Sequence, residues 1–119
     1  MSKPGDEFLQ FVLDQLSSVA SLASAPFFGG IGLRSGADFF GVIMAGTLYF
    51  STSPATRDDF LKHGSRCFSY AKKDGTVQQT KLFEVPAEVL DDPEMLHTWA
   101  DRAILASRQK RRASRPRKR

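Results

Sequence analysis

The sequence predicts an α+β fold: one five-stranded antiparallel sheet, with a helix at each end of the chain. Three observations carry that expectation. Apolar residues recur at helical spacing near both ends, as Phe8, Val12, Leu16 and Val19 and again as Leu96, Trp99, Ala100, Ala103 and Ser107. Six glycines between Gly29 and Gly46 alternate with Phe, Ile and Val, a composition poor for helix interiors and suited to a pleated surface. Turn dipeptides separate the strand-like runs, which makes neighbouring strands antiparallel.

In chain order, residues 5 to about 20 form the first helix. Leu9 and Leu13 widen its apolar stripe, and Asp6 and Glu7 in its first turn match the helix dipole. It ends in a small, serine-rich stretch, Ser17 to Ser24. Three strands follow near 27–34, 38–44 and 47–51, turned at Ser35-Gly36 and Ala45-Gly46. Pro54 opens a short helix that Gly64 closes. A hairpin through Asp74-Gly75 joins Cys67–Lys72 to Gln78–Val85. The last helix starts at Asp92-Pro93, with Asp92 as N-cap, and runs into the basic C-terminal segment before failing by Pro116. The expected core is Phe8, Val12, Leu16, Phe28, Leu33, Phe40, Val42, Leu48, Phe60, Leu61, Phe68, Leu82, Leu96, Trp99 and Ala103.

Composition narrows the class. The 119 residues are 41% apolar and 25% charged, ordinary for a globular domain, and no apolar run reaches transmembrane length. One cysteine excludes an internal disulfide, and the start lacks the pattern of a secretory signal, so the expected location is the cytoplasm. The net charge of +4 hides a division: residues 108–119 carry eight basic residues and no acid, while residues 1–107 sum to −4. The domain is therefore set at 1–107, with a basic, disordered tail at 108–119.

No catalytic set can be assembled. Gly29-Gly30-Ile31-Gly32 matches neither a phosphate-binding loop nor a dinucleotide fingerprint, and reads as a twisted strand closely approached by another backbone or a helix. Ser69 and Lys72 formally fit Ser-x-x-Lys, but a strand points them to opposite faces. His63 and His97 lack a metal-binding partner pattern, and Asp58-Asp59 and Asp91-Asp92 serve helix starts. Cys67 is read as buried and inert. The expectation is a non-enzyme with no cofactor and no metal.

The chemical signal is the tail. Arg108, Lys110, Arg111, Arg112, Arg115, Arg117, Lys118 and Arg119 would contact phosphates of DNA or RNA. The segment lacks the apolar face that membrane association needs. No recognition helix or stacking platform is evident near it, so little sequence preference is expected. The bland alternative is a solubilising tail without a specific partner.

The order of motifs resembles the N-terminal domain of the TfoX/Sxy family. Phe27-Phe28-Gly29-Gly30-Ile31-Gly32-Leu33, Gly46-Thr47-Leu48-Tyr49-Phe50, Arg57-x-x-Phe60 and Phe68-x-Tyr70 carry the resemblance. So do Glu84-Val85-Pro86, Asp92-Pro93-Glu94-x-Leu96 and Trp99-Ala100. It spans about residues 5–107 and departs at Phe27, where the family has methionine, and at Pro26, Arg34 and Ser51. The chain resembles a stand-alone N-terminal domain, with the basic tail in place of the family's helical second domain. The resemblance implies a secretion-chaperone-like α+β fold, no catalytic constellation, and co-regulation of competence genes with a partner of the cyclic-AMP receptor protein type. Two functions are therefore expected. One is an accessory regulator contacting nucleic acid or a DNA-bound partner through the tail; the other is a protein-interaction or chaperone-like module with no nucleic-acid role. A homodimer is expected on the ground that an open sheet leaves two edges.

Overall fold

The computed structural model describes residues 4–27 and 29–113, with side chains from Glu7 to Arg108 except Phe28. The elements are α1 (Pro4–Gln15), β1 (Leu22–Phe27), β2 (Gly30–Ser35), β3 (Asp38–Met44), β4 (Thr47–Ser51), α2 (Pro54–Lys62), β5 (Cys67–Ala71), β6 (Val77–Glu84), α3 (Ala87–Leu90) and α4 (Pro93–Ala113). The class is α+β, as expected, but the sheet has six strands, ordered β1-β2-β3-β4-β6-β5 and antiparallel throughout.

The extra strand corrects the reading of residues 17–34. The serine-rich stretch after α1 turns at Ser21, held at φ 53°, and becomes edge strand β1, in register with β2 from Leu22↔Ser35 to Phe27↔Gly30. Ala, Ser and Pro are weak strand formers, and Pro26 is tolerated because β1 pairs on one side alone. The single strand expected at 27–34 is instead a hairpin end plus β2, with Gly29 at φ 83° in the turn. The one-turn helix α3, pre-set by Pro86, was also unmarked by periodicity.

The expected punctuation holds elsewhere. Ala45 and Gly46 turn with φ 51° and 75°, the geometry of a tight hairpin. Asp74 Oδ1 accepts from Thr76 N at 3.0 Å and closes the β5–β6 turn. Ser53 caps α2 in a reciprocal capping box with Thr56, and Asp92 Oδ1 caps α4 by accepting from Glu94 N and Met95 N at 3.1 and 3.2 Å.

The helices lie on one face of the sheet. Val12 and Leu16 of α1, Phe60 of α2, Val89 of α3 and Leu96, Trp99, Ala100, Ala103 and Ile104 of α4 bury against Leu33, Phe40, Ile43, Leu48, Phe50 and Phe83. Of the expected core, Leu61 is 54% exposed because it faces out from α2, one position beyond Phe60. Phe8 packs at the margin, and Phe68 and Leu82 are half-buried. Phe28 lies outside the described residues. Cys67 is half-buried beside the core rather than sealed within it.

Candidate nucleic-acid interface

Helix α4 carries the start of the basic segment. Its apolar stripe seats it across β3 and β4, and Ala106 is the last buried position among its described side chains. One residue after Ser107 the stripe gives way to the basic segment. Arg108 Nε donates to Asp38 Oδ2 at 2.8 Å, and the Asp38 side chain, at the start of β3, is 8% exposed against 47% for Arg108. Arg108, one of the eight cations of the expected phosphate-binding set, is thus paired within the domain while about half of its side chain stays exposed. The helical backbone continues to Ala113, about 7 Å along the axis from Arg108, and includes Lys110, Arg111 and Arg112. Arg115, Arg117, Lys118 and Arg119 lie outside the described residues.

A crevice of about 400 Å³ opens beside the clasp, where β3 and β4 splay. Ala106 and Ser107 of α4 line one wall, and Phe27, Phe39, Ser51 and Leu82 line the other. It joins the start of the basic segment to the opposite side of the sheet.

That opposite side carries no helix among the described residues. Register places Ala25, Gly32, Val42, Tyr49 and Glu84 in one row across five strands on this face, because directly paired residues project to the same side. Aromatic rings gather on it in two groups. The Phe27 and Phe39 rings lie 5.0 Å apart, and Phe68 stands edge-on to Tyr49 at 5.3 Å with Tyr70 beyond at 6.4 Å. Val42, fully buried yet outside the helix-side cluster, marks a thin second apolar layer. The glycine pattern serves this face: a Cβ on Gly32 would sit 2.6 Å from Phe39 Cε2, and one on Gly30 would overlap the Ile43 carbonyl oxygen. Close approach at these glycines was legible in the sequence; that an aromatic ring makes it at Gly32 was not. An aromatic surface that the sequence did not reveal is thus assembled from residues on β1, β3, β4 and β5.

Charge divides by layer. Helices and their caps hold ten of the thirteen acids, while the strands and their turns hold Arg34, Arg66, Lys72, Lys73 and Lys81 against Asp38, Asp74 and Glu84. On the helical side Arg102 donates to Asp59 and holds that carboxyl below its ordinary value of 3.8. A Thr76 hydrogen bond does the same to Asp74 in the β5–β6 turn.

One constellation escaped the search by sequence. Ser18 Oγ meets His97 Nδ1, and His97 Nε2 lies 3.2 Å from Asp101 Oδ2. The hydroxyl–imidazole–carboxylate order resembles a hydrolytic triad, but Ser18 is exposed and so is Asp101 at 59% of its side chain. Neither the crevice beside Asp38 nor a smaller one beside Trp99 is lined by any of these three residues. The contact fastens the α1–β1 turn to α4. No group of three or more His, Cys, Asp or Glu side chains suited to a metal occurs among the described residues, and no helix there is long and apolar enough to cross a membrane.

Among known proteins, the family model described as the TfoX N-terminal domain matches residues 14–107. No curated protein matches the chain.

Proposed function

Because the chain belongs to the TfoX N-terminal domain family, we propose that it is a cytoplasmic, non-enzymatic accessory regulator of competence-type transcription, bringing its domain to nucleic acid, or to a DNA-bound partner of the cyclic-AMP receptor protein type, through the basic end of α4. The observation that carries this reading is the charge division along the chain. A −4 domain repels a duplex, whereas the segment after Ser107 attracts it. The Arg108–Asp38 clasp supports it by seating the root of that segment on the sheet.

With Arg108 engaged, seven cations remain: Lys110, Arg111, Arg112, Arg115, Arg117, Lys118 and Arg119. Counterion release then limits the slope of log K against log salt to about −6 on duplex DNA, and partial seating gives roughly −3 to −5. Fluorescence anisotropy with short duplexes between about 50 and 300 mM salt measures it. Truncation after Ser107 abolishes binding in this reading. A slope near zero, or undiminished binding by the truncated chain, refutes it. Absence of binding at low salt leaves the protein-interaction module as the function. A homodimer belongs to the same proposal, since β1 and β5 each leave an edge unpaired; sedimentation of a 13.2 kDa species alone at high micromolar concentration refutes it.

A further inference from the structure

We propose that the helix-free face of the sheet is a stacking platform for single-stranded nucleic acid, an inference that rests on the polyanion-binding role just assigned to the basic segment. Three independent features converge on this occupant. The first is chemical. Phe27, Phe39, Tyr49, Phe68 and Tyr70 place aromatic rings on one face, and Tyr70 is 48% exposed. Every base has a π-face, so such rings bind single strands with little regard to sequence, whereas a duplex keeps its base faces stacked inside.

The second feature is charge. Acids concentrate on the helical layer, whereas register places Arg34 and Arg66 on the helix-free face against Glu84. The β5–β6 turn adds Lys72 and Lys73 against Asp74, so a phosphate backbone meets a net attractive potential there; Lys81 projects to the helix side with Phe83. Arg34 is paired with Phe39 in register and borders the first ring group. Glu84, the acid in the central row, is suited to accept a hydrogen bond from a base amino group rather than to meet a phosphate.

The third feature is position. The crevice that Ala106 and Ser107 share with Phe27 and Phe39 places the root of the basic segment beside the first ring group. The second group lies about 10 Å further on, by the rise of β3 from Phe39 to Val42 and the pairing of Val42 with Tyr49.

The test compares a labelled oligothymidine of about 12 nucleotides, within the site sizes of known single-strand binders, with a duplex of equal length at one salt concentration. Three proteins are used: the full chain, the chain truncated after Ser107, and the double variant Phe68→Leu/Tyr70→Ala. The full chain should bind oligothymidine about five-fold or more tighter than duplex. The double variant should lose about five- to ten-fold on oligothymidine and nothing on duplex. Tyr70 is half exposed and Phe68→Leu keeps an apolar side chain, so the circular-dichroism melt should report a folded variant. Equal affinity for both ligands, or an equal loss on both, overturns the platform while tail-dependent duplex binding still upholds the basic segment. Ring-dependent oligothymidine binding that survives truncation upholds the platform and overturns the segment's role. A change in sedimentation with no change in binding assigns the face to a second copy of the chain and overturns the proposal.

Discussion

Replacing Trp99 with alanine tests the joint on which α4, α2 and α3 meet. The indole is 7% exposed and stands edge-on to Phe60, with ring centroids 4.7 Å apart. The His63 ring packs at 5.4 Å, and the Arg102 guanidinium carbon lies 5.8 Å from the indole centroid. An aromatic side chain buried to this degree hides about 150–250 Å², which at about 25 cal/mol per Å² corresponds to roughly 4–6 kcal/mol as an upper bound. Alanine retains part of that contact surface, and measured aromatic-to-alanine replacements in cores cost about 3–5 kcal/mol. Whole domains have about 5–15 kcal/mol, so the variant should sit near the edge of folding. In a chain of this size each kcal/mol moves the melting midpoint by about 4 °C, which gives a fall of roughly 12–20 °C. Far-UV circular dichroism is the assay, because Trp99 is the single tryptophan and its fluorescence disappears with it. Trp99→Phe preserves an edge-to-face partner for Phe60 and should recover about half of the loss. An alanine variant melting within about two degrees of the parent refutes the placement of Trp99 at this joint.

Three further outcomes follow from the same geometry. Arg108→Ala leaves the carboxylate of Asp38, whose side chain is 8% exposed, without its guanidinium and should cost about 1–2 kcal/mol, discounted because Arg108 is half exposed; urea unfolding at unchanged midpoint refutes the clasp. Asp59→Asn tests the pair with Arg102: a carboxyl held below 3.8 when folded contributes stability above that pH and loses it as pH falls through the lowered value, so the variant should show a shallower fall in melting temperature on acidification below about pH 4, and an unchanged acid limb counts against the pair. Gly30→Ala should destabilise more than Gly32→Ala, since the new methyl group meets the fixed carbonyl of Ile43 in the first case and a movable Phe39 ring in the second; about 1–3 kcal/mol is expected at Gly32, and the reverse order in thermal melts refutes the account.

By itself the sequence determined the elements whose signals are local. The stripe of α4, Pro54 and Gly64 around α2, Asp74-Gly75 between β5 and β6, and the Asp92 cap each depend on neighbours within four residues, and each lies where the spacing put it. Helix α1 starts as expected but ends at Gln15, short of the expected end near residue 20, with Leu16 and Val19 buried from the turn that follows. The division of charge was equally legible, because it is a property of composition along the chain. Edge strand β1 was not, since Ala23, Ser24 and Pro26 become a strand only when Arg34, Leu33 and Ile31 of β2 are across from them. Nor was the fate of Arg108, which depends on Asp38, seventy residues away. The aromatic face was hidden for the same reason. Phe27, Phe39, Tyr49 and Phe68 belong to four strands, and only the order in which those strands pair, with Gly32 vacating the space beneath Phe39, brings their rings to one side. Strand pairing and layer choice are decided by which distant apolar surfaces bury together, a global free energy that no short window of residues encodes.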